Sequence, residues 1–400
     1  MTEICIPYKG YWCTPFARWQ GSLAHLHSVR FAAHVAKKAL NDKAIPLDSF
    51  DYGVLGLTIP QQNCFYGLPW LAGLIGANKI GGPTISQACA TSVRVLACAA
   101  DEISALRANC VLTVTTDRTS NGPHIYYPDP TGPGGTGRNE DWVLGNFSQD
   151  PLAHCDMTHT AENCASKWGV SLAEQHELVL RRYEQYQDAT RRDNGSSFHE
   201  QCLMLPFAVP DKSLSKTMTT LNGDEGIFHT TREALDKLKP VKEGGTVTYG
   251  AQTYPADGCA GMIVTTADKA KELSKDPDIH IQILAFGQSR TDLAYMPAAA
   301  IVAASKALDV AGINIADIKA IKSHNPFAVN DIIFAREIGI DVNNMNNFGC
   351  SLIWGHPQGP TGMRAIIELI EELVLKGGGY GLFHGCAAGD TAMAVVLRVR

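Results

Sequence analysis

The sequence predicts a layered α/β protein made of two similar halves with an insertion of loops and helices between them. Three observations carry this. Several segments read as a buried strand, then a turn of small residues, then a helix. Two such units lie far apart: Cys89 opens a helix followed by the strand 110–117, and His356 precedes a helix followed by the strand 379–386. The shared spacing suggests an internal duplication. Between the units, residues 119–151 turn to Gly, Pro and polar residues, too long a stretch for a plain connector.

The elements follow in order. "DYGVLGLTI" reads as a strand running into polar and Pro-rich residues. "CATSVRVLACAADEISAL" sets Val93, Leu96, Ala97, Ala100 and Ile103 at helical spacing. "CVLTVTTD" is a compact buried strand, and "SNGPHIYYPDPTGPGGTGRNEDW" is loop. "SLAEQHELVLRRYEQYQDATR" is a helix with Ser171 as its N-cap, and "TTREALDKLKPV" a helix stopped by Pro240. "GMRAIIELIEELVLKG" reads as an amphipathic helix closed by glycine, and "YGLFHGCAAG" and "AMAVVLRV" as strands.

Bulk properties exclude several functions. A chain of 400 residues that is 45% apolar can bury a large core. The net charge is −6 with no Lys/Arg block, so no concentrated basic face for nucleic acid is expected. No apolar run is long enough for a transmembrane helix, and "MTEICIPYKGYWCTPF" does not read as a signal peptide. Twelve cysteines without a CxxC pair read as reduced thiols of a cytoplasmic protein, mostly core filler.

Four residues stand out as candidates. Cys89 sits at a helix start among Ala88, Ala90, Thr91 and Ser92, where the helix dipole and backbone N–H groups lower a thiol's pKa. Read alone, it is either a packed thiol or a nucleophile. His356 lies in "WGHPQGPTG", a fixed loop where an imidazole can pair with a thiolate or be satisfied by backbone. Cys386 lies in "HGCAAGD", whose backbone N–H groups can act as oxyanion donors; its other reading is a core cysteine at a strand end. His324, in "SHNPFAVND", is a site donor or a plain loop residue. His154, Cys155 and His159 lack a fourth ligand at a familiar spacing, so no metal site is expected. No glycine-rich nucleotide motif follows a strand.

Together these stretches resemble the thiolase superfamily in order along nearly the whole chain. "CTPFARWQGSLA" is similar to R-T-P-x-x-x-x-x-G-S-L, with Cys13 where arginine is usual. "ACATSVRVLACAADEI" resembles the C-x-S-G nucleophile motif, with Ser92 where glycine is common. "MTHTAENCASKWGVS" resembles M-G-x-T-A-E-N, and "DEGIFHTTREALDKLKPV" and "GGTVTYGAQTYPADGCAGMIV" resemble D-E…L-x-K-L-K-P and G-T-V-T-x-G-N-x-S-x-x-x-D-G. "MNNFGCSLIWGHPQGPTGMR" resembles N-x-x-G-G-x-I-A-x-G-H-P-x-G-x-(S/T)-G, and "CAAGDTA" resembles C-x-G-G-G-x-G.

The resemblance implies a five-layered α-β-α-β-α fold and CoA-dependent cleavage of a 3-oxoacyl-CoA, or the reverse Claisen condensation, through an acyl-cysteine. It implies an N-terminal half at 1–118 with a return segment at 245–268, a loop domain at 119–244 for CoA and oligomer contacts, and a C-terminal half at 269–400. Cys89 would accept the acyl group and His356 would activate it. Cys386 would move the α-carbon proton, and the N–H groups of Cys89 and Ala388 would form an oxyanion hole. His324 would replace the asparagine of the usual N-E-A-F motif, which holds a water in the other oxyanion hole. Thr253, Met157 and Gly389 would contact substrate or CoA; CoA is a substrate, and no bound cofactor or metal is implied.

Further expectations are a homodimer or homotetramer, and a small accessory protein as some His-variant relatives need. Degradative thiolysis in the cytoplasm is the expected role. Trp12, Tyr66, Trp70, Tyr126, Tyr127, Trp142 and Phe147 crowd the loops, either as ordinary packing or as a pocket for a bulky or aromatic acyl chain. The rival reading is a non-catalytic subunit that binds acyl-CoA or scaffolds a partner.

Overall fold

The structure, a computed structural model, describes residues 2–193 and 195–400. Its centre is an eleven-stranded mixed sheet. The strands named here are β1 (Ile4–Ile6), β2 (Tyr52–Gly56), β3 (Cys110–Arg118), β4 (Ala256–Thr266), β5 (Ile281–Arg290), β6 (Ile318–His324), β7 (Gly379–Ala387) and β8 (Thr391–Val399). They lie in the order β6-β7-β8-β5-β1-β4-β3-β2, with Thr84–Ile85 on the far edge. β2 and β3 are parallel, as are β6 and β7; the other named neighbours are antiparallel. The short strand β1 pairs with both β4 and β5 and so joins the two half-sheets.

The main helices are α1 (Ser28–Asp42), α2 (Gly67–Ile75), α3 (Thr91–Ser104), α4 (Met157–Trp168), α5 (Leu172–Thr190), α6 (Met296–Ala311), α7 (Ala328–Ile338) and α8 (Gly359–Leu375). The halves correspond element by element: β1-α1-β2-α2-α3-β3-β4 against β5-α6-β6-α7-α8-β7-β8. The expected duplication is therefore present in the topology. Where the second half turns tightly from β7 to β8, the first half inserts residues 119–255.

The layers follow from which faces are apolar. α3 and α8 pack on each other and lie between the half-sheets, α3 against β3 and β4, α8 against β6 and β7. α1 and α2 cover the outer face of the first half, and α6 that of the second, with α7 on α6. α6 is alanine-rich, so it approaches β5 closely: a Cβ on Gly287 would lie 1.9 Å from the Ala303 carbonyl oxygen. The inserted α4 and α5 pack on α7. Their starts are capped locally, Asp156 accepting from His159 N at 2.8 Å and Ser171 from Glu174 N at 3.2 Å. Among the described residues no helix is long and apolar enough to cross a membrane.

Three sequence expectations need correction. Residues 119–151 are not all loop: His124–Tyr127 and Arg138–Asp141 form a hairpin, and Leu144–Ser148 a short helix. The helix expected over 230–241 is reduced to Arg232–Leu235, because Pro240 and Val241 turn away to pair with Thr248 and Val247. Finally, α8 is not amphipathic in its setting. Every residue from Gly359 to Leu373 is buried, Arg364, Glu368, Glu371 and Glu372 included.

Those charges are paired inside the protein. Arg364 grips Asp224 through two hydrogen bonds of 2.5 and 2.8 Å and reaches Glu368 at 2.9 Å. Its guanidinium lies 4.9 Å from the Phe16 ring centre and 4.3 Å from that of Trp354. Glu368 also meets Lys322 at 3.2 Å. Burial alone would raise the Asp224 carboxyl; the Arg364 charge and hydrogen bonds outweigh it and hold it below the usual range. Removing one partner leaves the other charge buried and unpaired. Asp224→Ala should therefore lower the unfolding free energy by about 3–5 kcal/mol in urea titrations, whereas Lys38→Ala, which breaks the exposed pair with Asp42, should change it by less than about 1 kcal/mol.

Candidate active site

The N-termini of α3 and α8 meet at the C-terminal ends of the parallel strands, beside a cavity of about 480 Å³. Cys89, Ala88, His356, Gln358, Ala388, Thr253 and Met157 are among its lining residues. Open α/β sheets place ligands at this end.

Cys89 sits on a tight turn before α3. Ala88 has a φ of 44°, in the left-handed region, and the Thr91 hydroxyl clamps the turn. That hydroxyl donates to Ala88 O at 2.7 Å and accepts from Gln87 N at 2.8 Å. Ser92, which replaces the usual glycine, crosses between the halves. It donates to the Gly359 carbonyl and accepts from Met363 N at 2.8 Å, pinning α3 to the first turn of α8.

His356 lies one loop ahead of α8. Its N–H donates to Tyr254 O at 2.9 Å and its carbonyl accepts from Ala256 N at 3.3 Å, so the loop is stitched to the start of β4. Gly355 is required here: φ is 89°, and a Cβ would lie 2.8 Å from the Tyr254 ring. The imidazole Nε2 is 3.1 Å from Cys89 Sγ, and Nδ1 is 2.6 Å from Thr361 Oγ1. The thiol also lies 3.3 Å from Gln358 Oε1.

His324, at the end of β6, is buried with its ring stacked on that of His356 at 4.0 Å between centroids. Its tautomer can be read from its neighbours. Ser351 Oγ donates to Asn325 Oδ1 at 3.0 Å and accepts from Asn325 N at 3.1 Å. With the serine proton used, the 2.9 Å contact between His324 Nδ1 and Ser351 Oγ requires Nδ1 to donate. Nε2 therefore keeps a lone pair, and it is buried without a partner. Thr253 supports this loop, donating from N to Pro326 O at 2.7 Å and from Oγ1 to Ser351 O at 2.5 Å.

Cys386 is fully buried behind the cavity rather than on its wall, and its sulfur accepts from Asn330 Nδ2 at 3.2 Å. Ala388, two residues on, lines the cavity and directs its N–H toward Cys89. Gly389 does not line the cavity. Donor atoms of Cys89, His324 and His356 lie within 4.8 Å of one another. The two stacked rings, inclined by only 25°, cannot both hold one ion in their planes, so the trio is poorly shaped for a metal. His154, Cys155 and His159 form no such group among the described residues.

Burial drives both partners of the nucleophile to their neutral forms. It pushes the Cys89 thiol up to about 12, against backbone N–H groups of Ala388 and Cys89 that pull it down. Desolvation thus opposes the lowering expected from the helix start. Burial also lowers His356 to about 3. Cys386 is raised well above the thiol range by burial and then by Cys89, and His324 is pushed well down by burial and then by His356.

The family profile described as "Thiolase, N-terminal domain" matches residues 11–268, and "Thiolase, C-terminal domain" matches residues 278–399. The chain belongs to the thiolase family. An acetyl-CoA acetyltransferase of Paracoccus denitrificans is 26% identical over 395 residues, covering 96% of each chain. A human mitochondrial 3-ketoacyl-CoA thiolase is 26% identical over 394 residues, again 96% of each. The crystal structure of human mitochondrial 3-ketoacyl-CoA thiolase superposes with a TM-score of 0.89 at 25% identity, over 100% of this chain and 99% of that one. That of a Bacillus anthracis acetyl-CoA acetyltransferase gives 0.90 at 24% identity over the same shares, a likeness of fold.

Of the aromatic residues singled out in the sequence, Trp142 and Phe147 line the cavity of this thiolase. Trp12 is in the core, Trp70 packs on His27, and Tyr66, Tyr126 and Tyr127 are exposed. Sequence reading missed Asp117, Asn330, Gln358 and Thr361. Asp117 had a signal: it is the next-to-last residue of β3, as Cys386 is of β7. Its buried carboxylate accepts from Thr58 N, Ile59 N and Gly359 N at 2.9, 2.9 and 2.8 Å, tying α8 to the cavity wall.

Burial pushes the Asp117 carboxyl up to about 7, even against those N–H donors. A carboxyl raised above its unfolded value binds more protons in the fold, so its contribution to stability falls as pH rises from about 4 to about 7. The stability of the wild type relative to Asp117→Asn should decline by a few kcal/mol across that window and level off above it. Denaturation curves at a series of pH values would refute this if the difference stayed flat.

Proposed function

We propose that this thiolase cleaves a 3-oxoacyl-CoA, or runs the reverse Claisen condensation, through an acyl group carried on Cys89. The carrying observation is the 3.1 Å contact between Cys89 Sγ and His356 Nε2 on the wall of the cavity, next to the Ala388 N–H. Both groups rest neutral, so the thiol proton passes to His356 as the sulfur attacks the keto carbon. Thr361 accepts from Nδ1–H and keeps the Nε2 lone pair on the sulfur. The N–H groups of Cys89 and Ala388 receive the oxyanion.

The departing group is an enolate, which must gain a proton at its α-carbon. Cys386, kept as a thiol by burial, supplies it, and the Asn330 amide then stabilises the thiolate that remains. His324 acts by acceptance: its free Nε2 holds one proton of a water whose other proton reaches the enolate oxygen. The CoA thiol then gives its proton to the Cys386 thiolate as its sulfur takes the acyl group, and the departing Cys89 sulfur recovers its proton from His356.

CoA would be held mainly by the loop domain, 119–244, which includes Met157, and by Thr253, with Gly389 off the cavity wall beside Ala388, while the halves 1–118 with 245–268 and 269–400 carry the chemistry. Trp142, Phe147 and Phe327 give the cavity aromatic walls, which favours a bulky or aromatic acyl chain. Beside the edge strand Thr84–Ile85, Phe65 is 95% and Tyr66 67% exposed, which supports pairing with a second copy there as a dimer or tetramer. A small accessory protein remains part of the proposal. Twelve free cysteines support a cytoplasmic, reducing setting, and the proposed direction is degradative.

A thiolysis assay over a panel of 3-oxoacyl-CoA thioesters, read by loss of enolate absorbance, tests the scheme. Cys89→Ala should lose about a thousandfold or more in turnover, and undiminished turnover would end the proposal. Cys386→Ala should still form acyl-Cys89, visible by intact mass, while turning over about a hundred- to ten-thousandfold more slowly. Activity confined to short straight chains would remove the aromatic pocket.

A further inference from the structure

Away from the cavity, a second group of donor atoms converges at the seam between the halves. Glu3 and Cys5 are two residues apart at and just before β1, so their side chains share one face. His280, immediately before β5, turns its ring onto that face. Its Nε2 is 3.6 Å from Cys5 Sγ and 3.6 Å from Glu3 Oε2, and the donor atoms of all three lie within 4.8 Å of one another.

Zinc bonds of about 2.3 Å to sulfur and about 2.0–2.2 Å to nitrogen and oxygen put neighbouring donors of a tetrahedron about 3.4–3.6 Å apart. The two separations from His280 Nε2, 3.6 Å to Cys5 Sγ and 3.6 Å to Glu3 Oε2, are close to those edges, and the third pair lies within 4.8 Å. The stacked histidines of the catalytic group do not offer this geometry.

The surroundings suit an ion. Arg400 approaches the other carboxylate oxygen of Glu3 at 3.8 Å and orients it from outside. Among the described residues His280 Nδ1 meets no hydrogen-bond partner, and the ring's contacts with Cys5 and Glu3 are through Nε2. Glu3 and His280 side chains keep 40% and 24% of their exposure while Cys5 is fully buried, so solvent reaches the group from the Glu3 and His280 side and can supply a fourth ligand there.

We propose that Glu3, Cys5 and His280 bind a zinc-class divalent ion with one water. The Cys5 thiol loses its proton to buffer as the sulfur–metal bond forms. Charged groups facing the sulfur are Glu3, which opposes the proton's loss, and Arg398 and Arg400, which favour it; burial dominates and raises the thiol to about 12. Bound there, the ion ties β1, which bridges the half-sheets, to the segment entering β5. His280 is in turn joined to Arg400 by backbone hydrogen bonds of 2.8 and 3.0 Å.

Cobalt(II) titration of the full-length protein, stripped with chelator, tests this through sulfur-to-cobalt charge-transfer absorbance. One ion per chain should bind, Zn²⁺ should displace it, and the absorbance should persist in Cys89→Ala. It should vanish in Cys5→Ala, and His280→Gln, a change at the surface, should weaken binding at least about tenfold. Absorbance that disappears with Cys89 and survives both Cys5→Ala and His280→Gln would overturn the assignment. So would the lack of any such absorbance up to millimolar cobalt.

Discussion

A helix covered on every side has nowhere to send its charges. α8 lies between two half-sheets, yet it carries Arg364 and Glu368, which pair with each other and with Asp224 and Lys322 reaching in from other segments. That constraint sets the helix's position along its axis. The position fixes where its first turn falls, and with it Gly359, Thr361 and the preceding His356. Ser92 and Asp117 then bind this first turn from the other half, through Gly359 O, Met363 N and Gly359 N. Placement of the imidazole beside Cys89 is thus a consequence of charge pairing well inside the protein.

The electrostatics of the site differ from those of a thiolate–imidazolium pair. Desolvation acts on Cys89 and His356 in opposite senses on the pKa scale but to the same end, since each loses its charge. A neutral pair stores little field at rest and creates charge only as a bond forms. The backbone N–H groups aimed at the sulfur matter most at that moment, because they need no reorganisation. The deeper Cys386 follows the same logic: burial keeps its proton in place, and Asn330 waits beside the sulfur.

The sequence disclosed much of this, unevenly. The start of α3, the strand after it and the loop carrying His356 all came from spacing and small residues, and the ordered motifs pointed to the family. Helical periodicity can tell which residues share a face, but it cannot tell that both faces are covered, so α8 read as amphipathic. The helix-start argument for a reactive Cys89 was local, whereas the desolvation that opposes it depends on how the whole chain packs. Asp117 stands at the register position of Cys386, a correspondence that shows only once both strands have been placed. The segment 230–241 had helical composition, but Pro240 and Val241 pair with residues that no short window includes.

The duplicated frame and the insertion divide the work. Proton-handling groups stand on elements that both halves possess, while Trp142, Phe147 and Met157 ride on the long excursion that only the first half makes between β3 and β4. Changes in that excursion can reshape the room offered to an acyl chain while leaving the reacting groups in register. A lineage built on this plan is free to diversify its diet without relearning its chemistry.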